Sequence, residues 1–186
     1  EHQKDAQHQL EGGGAHEIGH FVDNTLSISL ILLITEFIKN YQHNGFSEEV
    51  IEYFRFLENT NPNDIFDSVN KKIIDDGTFS KMLSYWKEYF ADLFAASYVG
   101  NTLYRYLDYR TFPIQDCDKD HDRHPSNKLR SRITNDFLLG NSNYIVDAIQ
   151  NVLNAICKKT LPKFNNILNS EDLYKLLPLE LQTDRD

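Results

Sequence analysis

The chain has 186 residues, 40% of them hydrophobic, and its formal net charge is −9. The length suits one domain, and the 12 Phe and 10 Tyr provide enough apolar area for a core, which excludes a disordered chain. The acidic balance and the lack of a basic stripe argue against a protein that binds nucleic acid electrostatically.

The N-terminal third of the chain is predicted to be helical after a short polar segment. Residues 1–14 end in three glycines, which predicts a flexible lead-in. A first helix is predicted from about Ala15, and the chain then continues or restarts helically to about Gln42, with a break near Asn24. The apolar run at residues 26–34 is too short to span a bilayer, so we predict a buried helix and no transmembrane segment.

A helical insertion is predicted at about residues 46–78. Ser47 can cap a helix that reaches about Glu58, and Pro62 can occupy the first turn of a second short helix that ends near Gly77. Ser80 then caps a long, aromatic-rich helix, which we expect to reach about Tyr109.

The C-terminal part of the chain is also predicted to be helical. Pro125 can open a helix that closes at Gly140, and a further helix is expected from Ser142 to Lys159. A short helix and polar tail are predicted within residues 161–186. Period-two alternation is almost absent, so we predict a mainly α fold with few or no strands, whose principal domain covers residues 15–160.

The segment His16-Glu17-Ile18-Gly19-His20 has the H-E-x-x-H pattern of zinc hydrolases. On a helix, His16 and His20 lie one turn apart on one face, so each can give one nitrogen to a single tetrahedral zinc ion, with the Glu17 carboxylate beside it. A chance match of this pattern is common enough that a third ligand is needed.

The long helix offers that third ligand. Glu88 and Asp92 lie one turn apart on one face, so Glu88 can bind the metal while Asp92 accepts the second N–H of a ligand histidine. Gly19 on the first helix and the alanines Ala91, Ala95 and Ala96 on the long helix are small enough to allow close approach. The alternative for Glu88 and Asp92 is a solvated acidic face.

Three blocks, HEIGH, EYFAD and HPS followed by Arg130, occur in this order between Ala15 and about Arg132. In order and residue type they resemble the gluzincin zinc metallopeptidases of the minigluzincin, HtpX and CAAX-prenyl-protease type. The resemblance implies a zincin-like helical core, in which the helix with the HExxH motif packs on the helix with the glutamate ligand. It also implies a zinc-dependent endopeptidase that acts on proteins or peptides.

The resemblance also assigns roles to individual residues. It implies that Zn²⁺ is bound by His16, His20 and Glu88, and that Glu17 is the general base. His124 would help to stabilise the oxyanion, and Arg130 would brace the site or bind substrate. The alternative for His124 and Arg130 is a helix N-terminus and a structural ion pair.

Two features depart from the family pattern. The separation of His20 and Glu88 is 68 positions (88 − 20), which supports the predicted insertion. Only 15 residues precede His16, too few for the sheet along whose edge the family lays its substrate. We therefore expect either that this sheet lies outside the chain or that helices line the cleft.

Other functions and sites remain open at the level of sequence. One is a catalytically silent zinc-binding module, and another is a zinc hydrolase of a non-peptide amide. The alternating aspartates at 116–122 lack the glycine and the closing glutamate of a calcium loop, so a solvated loop is expected there. The segment 173–178 could fold over the cleft as an inhibitory tail.

The cysteines and the first residue bear on the cellular compartment. Cys117 and Cys157 are too few for a disulfide scaffold, so we expect free thiols and a reducing compartment such as the cytoplasm. The chain begins with Glu1 rather than Met, and any targeting signal is therefore expected to lie outside it.

Overall fold

The computed structural model describes residues 2–40, 43–65, 77–101, 103, 107, 120 and 123–157. The helices with both ends in these ranges are α1 (His2–Leu26), α2 (Ile28–Asn40), α3 (Glu48–Tyr53), α4 (Gly77–Val99), α5 (Asn127–Leu139) and α6 (Tyr144–Cys157). A single 3₁₀ turn, Arg55–Leu57, follows α3. These ranges contain no strand, so the predicted mainly α fold is confirmed.

Helix α1 begins at His2, so the predicted helix start near Ala15 is wrong, and residues 2–14 belong to α1. Each glycine in a helix interior costs about 1 kcal/mol relative to alanine, which is why three in a row predict a break. Gly12 is buried and Gly13 is half-buried, so this turn packs against other residues, and that packing offsets the cost of its glycines. The division of the chain into a lead-in, a domain and a tail stays a prediction.

The break between α1 and α2 lies at Ser27, three residues after the predicted position. Ser27 has a φ of 55°, in the left-handed region, which ends α1. The Asp23 carboxylate accepts a hydrogen bond of 2.7 Å from the backbone N–H of Ser29, one of the orphan donors in the first turn of α2. The chain bends by 62° at this point.

Helix α2 is largely buried, in agreement with the prediction of a buried apolar helix. In the described part of the chain, no single helix is both long and apolar enough to cross a membrane. Gly12–Leu26 of α1 and α2 meet these criteria only when they are taken together across the bend.

The core is built on α4, which contributes the fully buried aromatic side chains of Tyr85, Trp86 and Tyr89. Phe54, which follows α3, packs against all three rings, with its centroid 5.1 Å from that of Trp86. The hydroxyl of Tyr89 donates a hydrogen bond of 2.8 Å to the backbone carbonyl of Tyr53. The described part of the predicted insertion therefore packs into the same core as α4.

The predicted ends of two helices differ from those in the structure. The helix capped by Ser47 ends at Tyr53 rather than near Glu58, although the Ser47 cap itself is confirmed. Helix α4 ends at Val99 rather than Tyr109, because Gly100 adopts a left-handed φ of 55°. Residues 62–65, 101, 103 and 107 are also helical. The predicted end of the insertion near residue 78 falls inside α4, which begins at Gly77.

Helix α5 begins at Asn127 rather than at Pro125, and its predicted end at Gly140 is confirmed. The Ser126 hydroxyl accepts a hydrogen bond from the backbone N–H of Leu129, and Gly140 ends the helix in the left-handed conformation with a φ of 72°. The predicted final helix, the tail and Cys117 lie outside the described residues. The packing of α1, α4 and α5 positions the candidate site.

Candidate metal centre

The candidate metal centre lies where α1 and α4 cross. The helices are antiparallel, since the Asn24 side chain is 3.1 Å from Lys87 at one end and His16 contacts Asp92 further along. A β-carbon placed on Gly19 would lie only 2.8 Å from the α-carbon of Ala91. Glycine at position 19 therefore allows the backbones to approach closely enough for residues on both helices to share one site.

Three side chains from the two helices bring donor atoms together. His16 Nε2 and His20 Nε2 are 3.0 Å apart. His16 Nε2 lies 3.5 Å from Oε2 of Glu88, and His20 Nε2 lies 3.3 Å from Oε1. The three predicted ligands thus form one group that could hold a metal ion.

The spacing of these donors can be compared with the geometry of a metal site. Bonds of about 2.0 to 2.1 Å in a tetrahedral arrangement separate the ligand atoms by about 3.3 to 3.4 Å. The separation of the two histidine nitrogens is slightly shorter than this value, and their distances to the two Glu88 oxygens are close to it. Since two imidazoles and a carboxylate are also ordinary ligands of divalent transition metals, the residues present fit such an ion.

Asp92 lies behind the first histidine. Its Oδ1 atom is 3.0 Å from Nδ1 of His16, which is the ring nitrogen that faces away from the Glu88 carboxylate. The Asp92 side chain is 2% exposed, so this contact is shielded from water. Nδ1 of His16 makes no hydrogen bond of good geometry within the described part of the chain, so the predicted role of Asp92 as acceptor for this N–H stays a prediction.

Arg130, from α5, joins the two carboxylates of α4. Its Nε and Nη2 atoms donate two hydrogen bonds, of 2.7 and 2.8 Å, to the oxygens of Asp92. Nη2 also lies 3.1 Å from Oε2 of Glu88. Because the Arg130 side chain is only 8% exposed and faces these carboxylates, the geometry favours the bracing role over substrate binding.

The ionisation of this group follows from these contacts. Burial lowers the pKa of His16, but the carboxylates of Asp92 and Glu88 outweigh that effect and raise the pKa to about 9. Burial raises the pKa of the Glu88 carboxyl, but contacts with His16, His20 and Arg130 hold this pKa well below its usual range. Burial also raises the pKa of Asp92, but Arg130 and then His16 outweigh that effect and lower this pKa. In the metal-free protein at neutral pH, His16 is therefore an imidazolium between two carboxylates.

His124 lies at the rim of the group. Its Nδ1 atom is 3.2 Å from Oε1 of Glu88, and its side chain is 56% exposed. Asp120 holds the residue that caps α5, since its Oδ1 accepts a hydrogen bond of 2.9 Å from the backbone N–H of Ser126. Sequence reasoning assigned no such role to Asp120, because an aspartate six residues before a helix cap is not a recognised capping pattern.

Glu17 is exposed on α1 next to His16. The structure thus brings His16, His20, Glu88, Asp92, His124 and Arg130 into contact, with Glu17 at the same turn of α1. Comparisons of the chain with protein families, with curated proteins and with solved structures give no match.

Proposed function

We propose that this chain is a zinc-dependent endopeptidase. The observation that carries the proposal is the convergence of His16 Nε2, His20 Nε2 and the two carboxylate oxygens of Glu88, with contacts of 3.0 to 3.5 Å and the Glu17 carboxylate on the same helix turn. Metal-assisted hydrolysis of an amide requires such a set: two histidine ligands, a carboxylate as the third ligand, and a nearby carboxylate that does not bind the metal.

Zinc is the metal that we propose for this site. It favours four ligands, accepts nitrogen and oxygen donors, and leaves one position open when the protein supplies three. When bound by His16, His20 and Glu88, it would supply Lewis-acid activation, lowering the pKa of a water molecule to about 7 and polarising the carbonyl of the substrate.

The chain's own residues would carry the proton transfers. The Glu17 carboxylate accepts a proton from the attacking water and returns it to the leaving amine. His124, which is exposed at the rim of the site, donates a hydrogen bond to the oxygen that becomes negatively charged. Asp92 and Arg130 hold His16 and Glu88 in place and touch no substrate.

The test is the substitution Glu17→Gln in the zinc-loaded protein. It removes the base but no ligand, so we expect unchanged zinc content and a loss of peptide hydrolysis of about 100-fold or more. Zinc content is measured by elemental analysis, and hydrolysis by mass spectrometry of a mixture of unstructured peptides. His20→Ala is the matched control, because it should lose both zinc and activity.

Two results would contradict the proposal. If Glu17→Gln hydrolyses peptides at the rate of the wild type, Glu17 is not the base. If the purified protein takes up no zinc on titration, the metal assignment is wrong.

A silent zinc-binding module is the second candidate, because the ligands are largely buried between two packed helices, where a metal would stabilise the fold. It predicts that removal of zinc by a chelator lowers the melting temperature, while neither the wild type nor Glu17→Gln hydrolyses any peptide.

A further inference from the structure

Exposed apolar side chains occur on α1, and two of them, Ile18 and Phe21, lie within about one turn of the proposed base. Of the six large hydrophobic side chains that are exposed in the described part of the chain, three lie on this helix: Ile18, Phe21 and Leu26. Phe21 is 71% exposed and Ile18 is 55% exposed. A single exposed hydrophobic residue is ordinary on a folded protein, but Ile18 and Phe21 also lie close to the proposed site.

Helix geometry places Phe21 next to Glu17. Residues four apart lie on one face with their β-carbons about 5 to 6 Å apart, and residues three apart, such as Ile18 and Phe21, are also neighbours. Thr25, one turn further along, donates its hydroxyl hydrogen to the backbone carbonyl of Phe21 at 2.8 Å. Its hydroxyl is thus satisfied within the helix, and the surface around Phe21 offers apolar contact.

A peptide held at Glu17 would bring a neighbouring side chain to this surface. An extended chain advances about 3.3 Å per residue, so a residue that flanks the bond under attack lies within reach of a ring one helix turn away. A charged side chain that contacts the Phe21 ring loses hydration, and the ring has no charge or hydrogen-bonding group to replace it. An apolar side chain would therefore gain the most binding free energy from this contact.

We propose that Phe21, together with Ile18, binds an apolar side chain of the substrate at a residue that flanks the cleaved bond. The inference rests on the proposed peptidase function and adds a substrate class to it. Phe21 is a specificity-determining residue here, because it takes no part in metal binding or proton transfer.

The test compares cleavage by three zinc-loaded proteins: the wild type, Phe21→Ala and Tyr98→Ala. Tyr98 is the matched control, since it is an aromatic residue of similar exposure, 74%, on α4, and it has no role in the proposed site. The probe is a mixture of unstructured peptides in which the two central residues cover all combinations, with the products identified by mass spectrometry. Zinc content and circular dichroism establish that each variant is folded and loaded.

We expect the wild type to favour Leu or Phe at a residue flanking the cleaved bond. Phe21→Ala should lower kcat/KM for these peptides about tenfold relative to peptides with Ser at that position, Phe21→Leu should recover most of this loss, and Tyr98→Ala should have no effect. Cleavage by Phe21→Ala with an unchanged preference would overturn the inference and leave the peptidase function intact. The absence of any cleavage by the zinc-loaded wild type would overturn both.

Discussion

At the scale of single residues, Arg130 allows two carboxylates to remain ionised in the interior. Glu88 and Asp92 lie one turn apart on α4 with 9% and 2% of their side chains exposed, so their negative charges would repel each other and lose hydration. The buried guanidinium contacts both, and its forked shape matches the Asp92 carboxylate. The orientation of the metal ligands thus depends on a residue from a third helix.

Arg130→Met tests this dependence. It removes the guanidinium that contacts both buried carboxylates, and we expect the free energy of unfolding to fall by about 3 to 5 kcal/mol. Urea denaturation of the metal-free protein measures the change. Arg130→Lys should recover only part of it, because lysine restores the charge but not the two parallel hydrogen bonds.

Arg132→Ala provides the control for this prediction. Arg132 pairs with Glu52 at 2.8 Å, but both side chains are about half exposed, so its loss should cost about 1 kcal/mol or less. Similar destabilisation by Arg130→Met and Arg132→Ala would show that the buried network contributes no more to stability than an exposed ion pair does.

At the scale of elements, the contact between α1 and α4 sets the distances within the site. Gly19 lies between His16 and His20, so a displacement of α1 at this residue moves both histidines away from Glu88. A β-carbon at position 19 would meet the Ala91 carbonyl oxygen at 3.0 Å as well as its α-carbon at 2.8 Å. These are backbone atoms of a buried helix, which cannot move aside as a flexible side chain could.

Gly19→Ala should therefore weaken zinc binding at least tenfold and destabilise the protein by about 1 to 3 kcal/mol. The control is Gly14→Ala on the same helix, where a β-carbon meets no atom within 4 Å. There, the higher helix propensity of alanine should stabilise the protein by about 0.5 to 1 kcal/mol and leave zinc affinity unchanged. Competition with a zinc-sensitive dye gives the affinities. Equal zinc affinity in both variants would contradict this account of Gly19.

Local sequence signals predicted some element boundaries and failed at others. The Ser47 cap of α3 and the Gly140 stop of α5 were predictable because each acts on backbone groups within one helix turn. The stop of α4 at Gly100 was missed, since a lone glycine in an apolar helical pattern is commonly tolerated. The helical conformation of residues 12–14 was missed because glycine propensity is weak beside packing, and Gly12 is buried.

At the scale of the whole molecule, the site combines residues that are close together in the sequence with residues that the packing of separate helices brings to them. His16, Glu17 and His20 were predictable because the helix period alone puts them together. Glu88 followed from a second pattern of the same kind, but nothing local indicates that Arg130 contacts both Glu88 and Asp92. That contact arises because α5 packs its buried Leu129 and Ile133 into the core built on α4, and such packing is not encoded in any one segment.

The pH dependence of stability tests this assembled network in the metal-free protein. The pKa of His16 is about 9 in the folded chain and 6.5 for an unperturbed histidine, so the folded state binds a proton more tightly than the unfolded state does. The stabilisation is complete below pH 6.5 and is lost as the pH rises towards 9. The shift corresponds to about 3 kcal/mol at most.

Urea denaturation from pH 6 to 9.5, with zinc removed by a chelator, measures this loss. His16→Gln should abolish most of the decline in unfolding free energy, whereas His43→Gln, at an exposed histidine, should retain it. Zinc binding at pH 7 should release about one proton from His16, which calorimetry in buffers of different ionisation enthalpy would detect. An identical decline in His16→Gln, together with no proton release, would mean that His16 is not an imidazolium between Asp92 and Glu88.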